Sequence, residues 1–415
     1  MPRFVHAADI HLDSPLHGLA AYPDAPAAQL RNATREAFSR LVSRTIEEQA
    51  DFLVIAGDLY DGGWRDHNTG LFFCSEMGRL RRAGIPVFVL FGNHDAESEM
   101  TRKLTLPDNV RCFSARRAET LRLDGLGVAL HGQSFRDKAT EDNLAARYPE
   151  PVPGMLNIGV LHTALEGHSA HARYAPCTLD ELQARGYDYW ALGHVHDYQR
   201  WDGPATVVFP GNLQGRHIRE TGPRGAVLVH AQDGRIAVER LFVDVLRWES
   251  LAVDLTECTS MAEVAARVGA GFESLLAVDG GIPRAVRVTL EGSTPLHGEL
   301  FGNAVQLRSE VLAQVATIGN ERLWLEKVRL ATREHARPDA GRGDALASLA
   351  QILAEAEGDA ELLRQLGADL APFVNKLPPE LRTQVPLLDL VTGARLDALV
   401  REVAPDLLAH LARLE

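Results

Sequence analysis

The segments DFLVIAGD (residues 51–58) and PVFVLFGNHD (residues 86–95) decide how this chain folds: each is an unbroken apolar run that ends in glycine and then in metal-binding side chains. A run that is apolar at every position, not at alternate ones, fits a strand covered on both faces. Working outward, the same design recurs in FVHAAD (residues 4–9), which leads on to His11, in LNIGVLH (residues 156–162) and in DYWALGHVH (residues 188–196). Helical patterns lie between these runs. One, from about Thr34 to Gln49, has Phe38, Leu41, Val42, Thr45 and Ile46 on a single face. Another, from about His67 to Ala83, is closed by Gly84 and Pro86. Strand and helix in alternation predict an α/β core whose strand ends meet at one site.

The side chains that would meet there are Asp9, His11, Asp58, Asn93, His162, His194 and His196, with one further imidazole, His94. Oxygen and imidazole donors in this number are what a two-metal phosphoester hydrolase requires. Asp9 and His11 occupy alternate positions at the end of a strand, which sends both to one side, and His194 and His196 repeat that spacing. Asp58, behind a glycine, has two oxygens with which to bridge cations about 4 Å apart. Asn93 offers an amide oxygen, which leaves the adjacent His94 free to protonate a leaving alkoxide. Asp95 either orients His94 or caps the helix that follows. Mixed carboxylate, amide and imidazole donors suit two Mn²⁺ ions, with Fe²⁺ or Zn²⁺ as alternatives, whereas all-oxygen donors would point to Mg²⁺. A lone histidine after a strand is most often structural; the order DxH, GD, GNHD, H, GHxH is what carries the reading.

At 415 residues the chain is long enough for two or three domains. The expected divisions are residues 1–245 with the metal-binding runs, residues 246–335 with a strand, helix, strand, helix, strand order, and residues 336–415 with a Gly- and Pro-rich linker followed by helices. A second-domain helix is expected from about Leu296 to Val315. The formal net charge of −13 argues against a surface coated for nucleic acid but leaves room for a local basic track. Arg116 with Arg117, Arg136 with Lys138, and Arg216, Arg219 and Arg224 fall on predicted loops, and the last three are the expected substrate-binding residues because glycine-containing loops let a phosphate backbone approach closely. Four scattered cysteines without a CxxC pair exclude a disulfide framework or zinc knuckle. No stretch approaches the ~20 apolar residues of a membrane span, and the N-terminus runs straight into a strand, so a cytoplasmic protein without a membrane partner is expected.

On these residues the chain, from its start to about residue 240, resembles the calcineurin-like metallophosphoesterase superfamily. HAADIHLDSPL, VIAGDLYDG and PGNLQGRHIRETGPRG are similar to the SbcD-type DNA repair nucleases, nearest to their YhaO-like branch. The resemblance implies an α/β fold, a four-layer α/β/β/α sandwich with a small α/β capping domain and a C-terminal helical region. It implies Asp9, His11, Asp58 and His196 on one ion, Asp58, Asn93, His162 and His194 on the other, and His94 as the catalytic histidine. The implied activity is exonuclease and endonuclease cleavage of DNA by in-line attack of water on phosphorus. The implied partner is an SMC-like ATPase, SbcC-like or YhaN-like, docked on the C-terminal helices, and a homodimer is compatible with it. One departure concerns the first motif: SbcD proteins usually read DWHLG where this chain has Asp9-Ile10-His11-Leu12-Asp13, which places Asp13 and Ser14 near the cleft. The same residues would also serve a small-molecule phosphodiesterase or phosphatase; a non-catalytic scaffold would not need a complete donor set.

Overall fold

The apolar runs do become strands. In the computed structural model, which describes residues 1–14, 16, 27–61, 67–97, 105–137, 140, 142–165, 175–232, 234–277, 281–319, 322–334, 344–377, 386–393 and 395–411, the first sheet takes β1 (Arg3–Ala7), β2 (Phe52–Ala56), β3 (Val87–Leu90) and β4 (Val110–Cys112). The second takes β5 (Glu119–Leu123), β6 (Val128–Gly132), β7 (Leu156–His162), β8 (Tyr189–Gly193), β9 (Gln199–Trp201) and β10 (Thr206–Phe209). The chain then returns to the first sheet as β11 (Gly225–Gln232) and β12 (Arg235–Phe242). The sheet orders are β12-β11-β1-β2-β3-β4 and β5-β6-β7-β8-β10-β9. Parallel pairing runs through β1 to β4 and through β6, β7, β8 and β10, with antiparallel strands at the edges.

Alternate side chains of each central strand enter different layers. Val5, Ala7, Leu53, Ile55, Val87 and Val89 meet α1 (Ala27–Glu47) and α2 (His67–Arg82) through Phe38, Leu41, Phe73 and Met77. Phe4, Phe52, Val54 and Phe88 point the other way and pack on Val128, Leu130, Ile158, Val160 and Tyr189 of the second sheet. The outer face of that sheet is covered by a third cluster that includes Tyr148, Leu182, Trp190 and Phe209. The order of layers is therefore α/β/β/α. His6 makes a polar link between the sheets: buried, it donates from Nε2 to the Leu192 carbonyl (3.1 Å) and accepts at Nδ1 from the Tyr189 hydroxyl (3.0 Å). Burial pushes His6 down to about 3, so the ring stays neutral and holds the end of β1 in register with the end of β8.

The chain divides into two compact units, Met1–Glu249 with Ile282–Val286, and Ser250–Gly281 with Arg287–Glu415. The second is built on the sheet β13 (Arg247–Asp254), β14 (Arg284–Thr294) and β15 (Leu323–Glu334), with β14 central. The helix expected over Leu296–Val315 is interrupted. Asn303 (φ −122°, ψ 40°) follows Gly302, both poor helix formers, and splits it into His297–Gly302 and Ala304–Ile318. Buried Val264, Val268 and Phe272 of helix Met261–Ala277 and Leu307 and Val311 of Ala304–Ile318 fill this unit's core. The C-terminal helices Asp344–Ala356, Ala360–Val374, Pro386–Thr392 and Leu396–Leu411 fall within the same unit. No described helix is long and apolar enough to cross a membrane. Lys138 and linker residues 335–343 lie outside the described residues.

Candidate metal centre

All seven donors stand at the C-terminal ends of parallel strands, three groups from the first sheet and two from the second. Their route into the site differs from the one strand alternation predicts. Strand β1 stops at Ala7, and Asp9 (φ 50°) and His11 (φ 45°) lie beyond it in the left-handed region. Asp58 (φ 51°) and His194 (φ 104°) are likewise left-handed. A residue there costs of order 1–3 kcal/mol and turns the chain abruptly, which swings the side chain inward at the strand end. Backbone bonds from Asp9 N to Gly57 O and from His11 N to Asp58 O, both 3.0 Å, fasten the first loop to the second. Glycine is required where these loops approach His162. A Cβ on Gly57 would enter the His162 ring, and one on Gly193 would overlap the Ala56 carbonyl oxygen.

Three groups of donors result, each with its atoms within 4.8 Å of one another: Asp9, His11 and His196; His11, Asp58 and His94; and Asp58, His162 and His194. Asp58 and His11 are shared between groups. Asn93 Oδ1 lies 3.0 Å from His162 Nε2, so the amide joins the third group. Backbone N–H groups fix both aspartates: His194 N donates to both oxygens of Asp9 (3.0 Å each) and His94 N to Asp58 Oδ1 (3.1 Å).

Hydrogen bonds on the far nitrogens set the imidazole tautomers. His162 Nδ1 is 3.0 Å from the Ala56 carbonyl, an acceptor only, so Nδ1 carries a proton and Nε2 faces Asn93 Oδ1 and Asp58 Oδ2 (3.5 Å). His196 Nδ1 donates to Glu220 Oε1 at 2.7 Å, which turns its Nε2 toward His11 Nε2, 3.3 Å away. Acceptors facing one another at such distances are stable only around positive charge, either a proton or a cation. Burial opposes charge on both Asp58 and His162, yet each favours the other's charged form: His162 is pushed up to about 9 and Asp58 is held well below the usual carboxylate range. Burial and the Arg216 guanidinium hold His11 down at about 3, a neutral ligand. Among the described residues buried His11 Nδ1 has no hydrogen-bond partner, and Asp61 Oδ1 lies 3.6 Å from it. This donor set fits a pair of divalent cations.

His94 differs from the buried ligands. Its side chain is 34% exposed against 1% for His11 and 0% for His162, and its Nδ1 is 3.4 Å from Asp61 Oδ1. The group facing His94 Nδ1 is thus Asp61, which sequence reasoning passed over although it is the second acid of GDLYD. Asp95 braces the backbone instead. Its carboxylate accepts from Gly92 N (2.9 Å), which closes the start of the helix Asn93–Glu97, and from Leu59 N (3.1 Å) and Tyr60 N (2.9 Å), which steadies the neighbouring loop. Of the three arginines expected to bind substrate, Arg216 reaches the centre, with Nη2 3.5 Å from His196 Nδ1 and Nη1 3.3 Å from Ser14 Oγ. Arg224 is buried and spends its guanidinium on Asp197 (2.9 Å), the Thr221 carbonyl (2.9 Å) and the His196 carbonyl, a brace under the GHVH loop that a substrate cannot reach. Arg219 is exposed.

Comparison with known proteins accounts for this architecture. The sequence matches the calcineurin-like phosphoesterase family over residues 2–198 and the middle domain of metallophosphoesterase YhaO over residues 248–333. An uncharacterized metallophosphoesterase, YhaO of Bacillus subtilis, is 38% identical over 297 residues, which are 70% of this chain and 72% of that one. The chain belongs to the calcineurin-like metallophosphoesterases. It is a homologue of YhaO, and a hydrolase of phosphoester bonds whose family binds divalent metal ions. More distant relatives of this metallophosphoesterase include the DNA double-strand break repair proteins Mre11 of Methanopyrus kandleri, 27% identical over 284 residues, and of Haloferax volcanii, 26% identical over 270 residues. The matches span 63% and 65% of this chain and 59% and 58% of those relatives.

Proposed function

We propose that this metallophosphoesterase is a two-metal phosphodiesterase that cleaves DNA, as an exonuclease and endonuclease, with Mn²⁺ as its metal. The observation that carries the reading is the run of three donor groups linked through His11 and Asp58, with the partly exposed imidazole of His94 in the middle group. In this reading Asp9, His11, Asp58 and His196 hold one ion and Asp58, Asn93, His162 and His194 the other. The cations, when bound, supply Lewis-acid stabilisation of phosphoryl charge and activation of the attacking water. His94 delivers a proton from Nε2 to the departing oxygen, while Asp61 Oδ1, 3.4 Å from its Nδ1, orients the ring. Arg216, whose guanidinium lies between Ser14 and His196, meets the non-bridging oxygens of the phosphate.

DNA as substrate is supported by the Mre11 relatives, which are named for double-strand break repair. Mn²⁺ is supported by the mixture of imidazole, amide and carboxylate donors. An SMC-like ATPase would meet the C-terminal helices, where Leu362, Phe373, Leu387 and Leu407 line an apolar groove of about 520 Å³ and remain 40–59% exposed. One observation favours a small phosphodiester instead: Arg224 is buried and bound to Asp197 and to the His196 and Thr221 carbonyls, so it offers nothing to a long phosphate backbone. The deciding assay incubates the purified chain and Mn²⁺ with linear and single-stranded DNA beside bis-p-nitrophenyl phosphate, with Asp58→Ala as control. DNA cleavage that is lost in the control supports the nuclease; hydrolysis of the small ester alone overturns it.

A further inference from the structure

Glu220 is 6% exposed and stands 24 positions after His196, in the loop that carries Arg216 and Arg219. Both of its oxygens are committed. Oε1 accepts from His196 Nδ1 at 2.7 Å, with His217 Nε2 at 3.7 Å and Arg216 Nη2 at 3.8 Å beyond it. Oε2 accepts from Arg216 N at 2.7 Å and Asn212 Nδ2 at 2.9 Å. One carboxylate thus grips a candidate ligand, the backbone of the arginine nearest the centre and the buried amide at the start of that arginine's loop.

We propose that Glu220 is a positioning residue that builds one of the two ion sites: it fixes the Nδ1-protonated tautomer of His196, aims Nε2 at the ion shared with Asp9 and His11, and seats Arg216 against the same site. The proposal rests on the two-ion reading above. A carboxylate behind a metal-bound imidazole raises the basicity of the ligand nitrogen and restricts ring rotation, and removing such a partner typically lowers metal affinity about 10–100-fold. The ion held by Asn93, His162 and His194 has no Glu220 behind it; His162 leans on the Ala56 carbonyl instead.

The test is calorimetric titration of the metal-free full chain with Mn²⁺. Wild type is expected to take two ions, and Glu220→Ala to bind one of them about 10–100-fold more weakly with the other unchanged. His196→Ala should lose the same site, and the double variant no more than His196→Ala alone, because Glu220 acts through that ring. Losses that multiply, or wild-type affinity in Glu220→Ala, overturn the role while leaving the two-ion reading intact. A wild-type chain that takes up no Mn²⁺ overturns both. Should the alanine variant fail to fold, Glu220→Gln and ¹⁵N-histidine spectra of metal-free protein replace it: a His196 resonance protonated at Nδ1 in wild type and shifted toward the Nε2 tautomer in the glutamine variant supports the role, and an unmoved resonance overturns it.

Discussion

Among the described residues, seven non-glycine residues of the first unit have positive φ, and four of them, Asp9, His11, Asp58 and His194, are candidate ligands; in the second unit Glu257 alone does. Buried polar groups occur in both units, Thr294, His297 and Thr332 in the second, but converge in the first. The first unit buries Asp9, His11, Asp58, Asn93 and His162 around one point, whereas the second fills its interior with Val264, Val268, Phe272, Val288, Leu307 and Val311 and pairs Arg287 with Glu326. Left-handed backbone at four ligands costs on the order of 1–3 kcal/mol each. Each fully buried Phe, Leu, Ile or Val contributes about 1.5–3 kcal/mol. The three apolar clusters around the two large sheets therefore have ample capacity to hold those turns in place. Among the described residues the second unit has one such backbone position against seven, and every donor group lies in the first.

The sharpest way to break this contrast is His94, the exposed member of a donor group. Replacing it with alanine should lower kcat on a phosphodiester about 10²–10⁴-fold, the range for losing a general acid, while two Mn²⁺ ions still bind. Turnover and calorimetric titration of the same preparation check this. Metal loss as complete as in Asp58→Ala would make His94 a ligand, in line with its place in the group containing His11 and Asp58, and would leave proton transfer to another residue.

How far the sequence reveals this site depends on which physical signal is involved. Continuous apolar runs such as FLVIA and VFVL marked the central strands, and the helical face of Phe38, Leu41 and Val42 marked the helix packed on them, because burial on both faces or on one leaves a periodic trace. The donors were legible through their order along the chain. Their approach was not: Asp9 and His11 were placed on a strand that in fact ends at Ala7, since nothing in residue type announces that an aspartate and a histidine will adopt left-handed backbone. Asp61, Glu220 and the bracing role of Arg224 stayed hidden for a related reason. Each acts through polar contacts with residues about 20–50 positions distant, contacts that only the folded loops create.

A second, smaller effect is expected at Gly193, where the two sheets come closest to the centre. A methyl group there would overlap the Ala56 carbonyl oxygen, which is backbone and has no rotamer to change. Gly193→Ala should destabilise the protein by about 1–3 kcal/mol. Because the same carbonyl accepts from His162 Nδ1, Mn²⁺ affinity should also fall, by about tenfold or more. Urea unfolding and Mn²⁺ titration measure the two separately. Lower stability with unchanged affinity would show that the centre does not depend on the strand ends as argued.

The smallest effect on the centre should come from the second unit. Val288 is fully buried on β14, and Val288→Ala removes apolar volume worth about 1.5–3 kcal/mol once the cavity left behind is included. That loss should appear in unfolding of the second unit, followed through the variant's urea midpoint, while both Mn²⁺ affinities and hydrolysis of bis-p-nitrophenyl phosphate stay at wild-type values. Strain concentrated at the ligands of one unit has no reason to respond to a void in the core of the other. If Val288→Ala weakens Mn²⁺ binding, the left-handed turns at Asp9, His11, Asp58 and His194 draw support from beyond the first unit's own clusters, and the separation of a strained unit from a relaxed one no longer describes the molecule.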